Sequence, residues 1–262
     1  MSQPNQQGRI VWHDLNTTDL PRSKAFYSEL FGWNVSEHGP WNFIAPPGET
    51  QHFGTMIGHE AAANIPSHWV PYLTVANIDA AITEAAGAGG KITVPKRPAG
   101  ETGHFSYVLD PQMASFALWQ YSDKSPGKPE HDGGPPRTGH FIWDELMTSD
   151  PEAAAKFYTR VVGYETKEAA QVPGMHYTLF QRPATRADGT KREAGGMMKS
   201  PPGVVHPYWL SYVCVDDCDR SAAKAKSLGG KVAAGPMDIP QVGRIATLLD
   251  PTGAAIGIMS PR

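Results

Sequence analysis

Residues 10–15, Ile10-Val11-Trp12-His13-Asp14-Leu15, return later in the chain as Phe141-Ile142-Trp143-Asp144-Glu145-Leu146. An offset of 131 positions lays Trp12 on Trp143, Asp14 on Glu145 and Leu15 on Leu146. The same offset pairs Thr17 with Thr148, Asp19 with Asp150, Phe26-Tyr27 with Phe157-Tyr158 and Gly32 with Gly163. Farther along, the offset becomes 140 and then holds: Trp69 meets Trp209, Tyr72 meets Tyr212, and Asp79 meets Asp219. Gly89-Gly90-Lys91 likewise meets Gly229-Gly230-Lys231, and Leu109-Asp110-Pro111 meets Leu249-Asp250-Pro251. A register kept over most of the chain marks a tandem duplication. The change of offset reflects insertion in the second copy, where Arg182 to Arg192, polar and carrying Asp188-Gly189, reads as a hairpin extension. Residues 122–138 hold four prolines, three glycines and several charges, a composition that fits a linker and no packed element. The expected domains are therefore 1–121 and 139–262, joined by 122–138.

Each copy repeats one local grammar. The apolar run Gly8 to Leu15 predicts a strand, followed by a helix opening near Asp19-Leu20-Pro21. Asp19 or Thr18 would cap it, and Pro21 suits the first turn, where a missing N–H costs nothing. Ala25, Phe26, Leu30 and Phe31 supply a helical apolar face that Gly32 ends. Strands are expected around Trp33 to Glu37, Trp41 to Ala45 and Phe53 to Ile57. A second unit follows: a strand at Val70 to Val75, a helix from Ile78 to Ala86, then strands near Lys91 to Val94, Phe105 to Leu109 and Phe116 to Tyr121. Strand, helix and three strands, twice per copy, give an α+β chain of four βαβββ modules.

Composition narrows the function classes. Hydrophobic residues make up 40% and charged residues 19%, with a net charge of −3, which suits a globular protein and argues against a nucleic-acid or anionic-membrane surface. The polar start Met1 to Gln7 lacks the apolar stretch of a signal peptide, and no apolar run reaches the roughly 18–20 residues of a membrane span. Cys214 and Cys218 are the only cysteines, and their spacing matches neither a redox pair nor half a zinc knuckle. A cytoplasmic protein with reduced thiols, monomeric or homodimeric, is expected.

In order and spacing the duplicated motifs resemble the vicinal oxygen chelate superfamily of glyoxalases, bleomycin- and fosfomycin-resistance proteins and extradiol dioxygenases. The resemblance is carried by Asp19 … Phe26-Tyr27 … Gly32-Trp33 and Asp150 … Phe157-Tyr158 … Gly163-Tyr164. Val75 … Asp79 … Gly89-Gly90, its counterpart Val215 … Asp219 … Gly229-Gly230, and the closing Asp110-Pro111 and Asp250-Pro251 add to it. The Trp-x-Asp/Glu-Leu openings are similar to those of two-domain glyoxalase-like proteins common in actinobacteria. The resemblance implies paired modules around a small-molecule cavity that in many members holds a divalent metal. Carried over by position, the implied ligand sites fall on Trp12 and Trp143, Val70 and Leu210, and Ala117 and Gly257. None of these side chains coordinates a metal. A strand slipped by one residue would present His13 and Asp144, with Trp69 or Pro71 and Phe116 or Leu118, and still lacks a ligand set. No metal and no cofactor are expected.

With Trp12 turned to the cavity, period-two alternation turns Asp14 the same way, as it does Glu145 with Trp143. The candidate acid/base residues are Asp14 and Glu145. Trp12, Trp143, Tyr72, Tyr212 and Trp119 are the candidate ligand-binding residues. A simpler alternative has the indoles filling the cavity and the acids bonded to a tyrosine. His13 would point to the helix side. Copy one is aromatic at Tyr107, Trp119 and Tyr121 where copy two has Thr247, Met259 and Pro261, so the two cavities are not equivalent. The reading is a glyoxalase-like small-molecule protein, metal-independent, that binds or transforms a small oxygenated or dicarbonyl compound. Two alternatives stay open: a non-catalytic drug-sequestering protein of the bleomycin-resistance type, or a metal-dependent lyase or dioxygenase if the register is shifted.

Overall fold

Two helices begin on an aspartate followed within two residues by proline. Asp19 accepts the backbone N–H of Arg22 (3.1 Å) and Asp150 that of Ala153 (3.1 Å), with Pro21 and Pro151 in the first turns. Both helices end on a left-handed glycine, Gly32 (φ 71°) and Gly163 (φ 84°), a backbone shape that a Cβ disfavours. The computed structural model describes residues 6–60, 65–125, 127, 134–169, 176–186, 188–201, 203 and 206–262. Residues 1–5, part of the expected linker (126 and 128–133) and residue 187 of the hairpin extension lie outside them.

Four βαβββ modules follow one another. The first comprises β1 (Ile10–Thr17), α1 (Leu20–Phe31), β2 (Asn34–His38), β3 (Trp41–Ala45) and β4 (Gly54–Gly58). The second comprises β5 (His68–Thr74), α2 (Ile78–Gly87), β6 (Lys91–Ala99), β7 (Gly103–Leu109) and β8 (Ser115–Tyr121). The third comprises β9 (Phe141–Thr148), α3 (Pro151–Val162), β10 (Glu165–Ala169), β11 (Tyr177–Thr185) and β12 (Lys191–Lys199). The fourth comprises β13 (Tyr208–Cys214), α4 (Cys218–Ser227), β14 (Lys231–Ile239), β15 (Gly243–Leu249) and β16 (Ala255–Pro261). The strands form two eight-stranded mixed sheets, ordered β2-β3-β4-β1-β5-β8-β7-β6 and β10-β11-β12-β9-β13-β16-β15-β14. This is the α+β, four-module architecture expected from the duplication. β6 runs five residues beyond the predicted Val94, and the extra residues in β11 and β12 make the longer hairpin of the second half.

Alternation fixes which way the first strand faces. Leu15 is fully buried in an apolar core, His13 stacks on Phe141 (3.9 Å between centroids), and Thr17 Oγ1 lies 2.8 Å from Ser23 Oγ of α1. The odd residues of β1 therefore face the helix, and Trp12, Asp14 and Asn16 face away from it.

The cores do not follow the sequence halves. The chain divides into two compact units, one made of Met1–Val11, Pro71–Asp132 and Asp144–Trp209, the other of Trp12–Val70, Gly133–Trp143 and Leu210–Arg262. In the second of these, Phe26, Tyr27, Trp33 and Trp69 pack with Val213, Ala222, Leu248 and Ile256. In the first, Leu73, Ile78 and Phe116 pack with Phe157, Tyr158, Phe180 and Trp209. Each core thus joins one module from each half, with α1 against α4 and α2 against α3.

A buried polar chain runs through each core. The Trp209 indole N–H donates to Tyr158 Oη (3.0 Å), which donates to Asp110 Oδ2 (3.2 Å). The Trp69 indole donates to Tyr27 Oη (3.0 Å), which bonds Asp250. Each aspartate in turn accepts two turn amides, Gln112 and Ala114 at Asp110, Thr252 and Ala254 at Asp250. Burial pushes both tyrosine hydroxyls far above their ordinary value, and the neighbouring aspartate adds to it, so they remain donors. The Asp110 carboxyl is also raised by burial, with the turn amides and Tyr158 pulling part of the way back. Further bonds between the halves include Trp33 to Gly139 O (2.7 Å) and Tyr164 to Gly8 O (2.7 Å).

Removing either tyrosine hydroxyl leaves a buried indole N–H and a carboxyl short of a partner. Tyr27→Phe and Tyr158→Phe should each lower stability by about 1–3 kcal/mol, seen as a lower urea midpoint with an unchanged slope.

Candidate functional site

On the face of β1 turned from α1, Asp14 is 3% exposed and accepts the Trp12 indole N–H at Oδ1 (2.9 Å). The same N–H lies 3.2 Å from Thr55 Oγ1, which β4 places directly beside Asp14 in the parallel pair Asp14↔Thr55. The structure so joins Trp12 and Asp14 into one patch. Phe43 meets the Trp12 ring edge-on at 6.1 Å and stacks on His52 at 5.1 Å, and His52 Nε2 lies 3.0 Å from Ser36 Oγ.

Tyr72 and Trp119 belong to the other unit, where their rings lie 6.2 Å apart. Tyr72 Oη donates to Tyr107 Oη (3.3 Å), Phe105 lies 5.8 Å from Tyr107, and Tyr121 meets Trp119 edge-on at 5.6 Å. The antiparallel pairs Phe105↔Trp119 and Tyr107↔Ala117 put these rings on one face of β7 and β8. Four of the five are only half-buried. The Trp119 Nε1 is buried with no hydrogen-bond partner among the described residues. The matched pairs of the second half are Ile245↔Met259 and Thr247↔Gly257, so the aromatic wall belongs to the first half alone.

The candidates of the second half lie on β9 and β13. Glu145 is 7% exposed, and its charge, after burial, helps push the Tyr208 hydroxyl above its ordinary value. Trp143 is half-buried on β9. Tyr212 lies across Gly257 in the parallel pair Tyr212↔Gly257.

The metal-ligand positions implied by the resemblance can be tested against this geometry. Trp12 is engaged with Asp14, Val70, Leu210 and Ala117 are fully buried apolar residues, and a Cβ at Gly257 would strike the Tyr212 ring. The slipped register fails as well, since His13 stacks on Phe141 and Trp69 bonds Tyr27. Among the described residues no three His, Cys, Asp or Glu side chains gather as a metal site. The donor set of a superfamily metal does not fit these positions. Cys214 and Cys218 are free and buried, and burial pushes the Cys218 thiol up to about 11, which disfavours the thiolate.

Three polar residues on the Trp12 face escaped the sequence reading or were passed over by it. Asn16 is the next outward residue after Asp14, His59 follows Thr55 and Ile57 beyond the end of β4, and His68 opens β5. The Trp12-x-Asp14-x-Asn16 alternation could have found the first. His59 carried no such signal, because β4 is short and glycine-flanked.

The chain belongs to the Glyoxalase/Bleomycin resistance protein/Dioxygenase superfamily, whose profile matches residues 9–118 and 137–258. Among its relatives, the Mycobacterium tuberculosis protein named "Putative glyoxylase CFP32" is 34% identical over 98% of this chain and 96% of its own length. The "Anthracycline biosynthesis protein DauV" of Streptomyces sp. strain C5 is 28% identical over 97% of this chain and 94% of its own. The fold is shared with the Mn(II)-bound glyoxalase from Novosphingobium aromaticivorans, at a TM-score of 0.63 and 16% identity over 97% of this chain and 82% of that one. It is also shared with the 2,3-dioxygenase LapB from Pseudomonas sp. KL28, at a TM-score of 0.61 and 13% identity over 97% and 93%. Among the described residues no helix is long and apolar enough to cross a membrane.

The Tyr212 ring fills the space that any side chain at Gly257 would need. Gly257→Ala should cost about 1–3 kcal/mol through overpacking, read as a lower thermal midpoint, whereas Gly253→Ala, with nothing within 4 Å of its Cβ but a φ of +97°, should cost only its backbone strain.

Proposed function

We propose that this protein is a glyoxalase-like small-molecule protein that binds and transforms an oxygenated or dicarbonyl compound without a metal, with Asp14 and Glu145 as its acid/base groups. The carrying observation is the buried Asp14 carboxyl, held by the Trp12 indole at the place where a metal ligand would otherwise open the site. An indole N–H bond to Oδ1 orients the acid on the sheet face turned from α1. Glu145 occupies the matched position of the second half and is equally buried. The relative named a glyoxylase in M. tuberculosis supports a small carbonyl compound as the substrate class. Free buried cysteines suit a cytoplasmic setting.

A second reading, sequestration of a flat ligand, is favoured by the aromatic wall of Tyr72, Phe105, Tyr107, Trp119 and Tyr121. Half-buried rings offer stacking surface, and the Trp119 N–H offers a donor for a ring oxygen. The Streptomyces relative named for anthracycline biosynthesis supports a ligand of that shape.

The two readings part on turnover. Against a panel of small dicarbonyls and their thiol adducts, Asp14→Asn and Glu145→Gln should reduce turnover or binding at least about tenfold, with circular dichroism unchanged. Unaltered ligand response in both variants would remove the acid/base assignment. Stoichiometric binding of a planar aromatic with no product formed would install the sequestration reading instead.

A further inference from the structure

Beyond Asp14, the same sheet face carries a polar corner. Asn16 Nδ2 and His59 Nε2 are shut off from water, and neither has a hydrogen-bond partner among the described residues. Their facing follows from contacts. Leu15 and Thr17 of β1 and Met56 of β4 lie on the helix side, as does Trp69 of β5 through its bond to Tyr27. Asn16, His59 and His68 are one residue out of phase with these and face the other way. The ladder that places His59 continues past β4, since His59 N donates to Thr17 O (2.9 Å). The N-terminal end of β5 is tied in by Thr18 N, which donates to Ser67 Oγ (3.1 Å).

Each imidazole is held at one nitrogen by a backbone carbonyl. His59 Nδ1 lies 3.3 Å from Glu60 O, and His68 Nδ1 lies 2.8 Å from Pro66 O. A carbonyl accepts only from a protonated nitrogen, so Nδ1 of each ring carries a proton, and a ring with no second proton presents Nε2 as an acceptor. Burial, with a smaller contribution from His59, lowers the His68 pKa and keeps that ring neutral. Asn16 Nδ2 is a donor. An unpaired buried donor on β1 and an unpaired buried ring nitrogen just past β4 share the sheet face that carries Asp14, an arrangement that native interiors seldom leave without use.

We infer that Asn16 and His59 form a ligand-recognition corner for an uncharged compound bearing a hydroxyl next to a carbonyl. The hydroxyl donates to His59 Nε2, and the carbonyl oxygen accepts from Asn16 Nδ2. The nearby Asp14 carboxylate repels an anionic ligand. The corner belongs to the first half only. By the strand pairs Asp14↔Thr55 and Glu145↔Gly196, its counterparts are Met147 for Asn16, Ser200 for His59 and, by the later offset, Tyr208 for His68. Methionine removes the donor there. The inference rests on the small-molecule reading above and names the groups that select within it.

The test uses hydroxyacetone as probe and lactate, its charged analogue, as comparator, with ¹⁵N-labelled histidine side chains observed by NMR in the full-length protein. Hydroxyacetone should shift the His59 Nε2 resonance in a saturable way, and lactate should neither shift it nor compete. Asn16→Leu, similar in size, should weaken hydroxyacetone at least about fivefold. A His59 resonance indifferent to hydroxyacetone, or a lactate response equal to it, overturns the inference without recourse to any variant. If Asp14→Asn weakens the probe while Asn16→Leu does not, the corner falls and the acid reading stands. If Asn16→Leu weakens the probe while Asp14→Asn does not, the corner stands and the acid reading falls.

Discussion

A single βαβββ module has one helix for one sheet face and leaves an apolar surface that it cannot cover alone. The structure meets that constraint by exchange: the helix of the first module packs against the fourth, and the helix of the second against the third. The Trp–Tyr–Asp chains show how specific the exchange is. Tyr27 reaches the Asp-Pro turn of the fourth module, and Tyr158 reaches that of the second. These bonds lie in apolar surroundings, where an unmade hydrogen bond is costly and a made one selects a single partner. On the side of β1 turned from that core lie Trp12, Asp14 and Asn16.

Much of this was legible in the sequence, for reasons of period. Strand alternation alone placed Trp12 and Asp14 on one side and His13 on the other, and the structure shows the indole bonded to that acid. The Asp-Pro and Gly stops of α1 and α3 were equally plain, since capping is a local interaction between residues three apart. The exchange of modules was not legible. Periodicity reports that a face is buried and is silent about what buries it. Ser23 and Asp250, which meet in one core, are 227 residues apart. The Asn16–His59 corner was hidden for a related reason: a donor on one strand and an acceptor just past the end of another acquire meaning only when the sheet register is known.

The proposed site is built from protein groups. The positions that would carry a metal hold an indole, buried aliphatic side chains and a glycine pressed by a tyrosine ring. On the proposed reading the first half offers Asp14, Asn16 and His59, and the matched positions of the second half are Glu145, Met147 and Ser200. Duplication supplied two copies of one scaffold, and side-chain divergence gave the copies different residues at matched positions, as in other folds that host many activities.

The claim on which this account turns is that ligand chemistry here needs no metal. Elemental analysis of freshly purified protein, paired with thermal unfolding before and after a strong chelator, addresses it directly. The account predicts less than stoichiometric nickel, zinc, manganese or iron and an unfolding midpoint that the chelator does not move. One metal ion per chain, with a midpoint that falls on chelation, would contradict it.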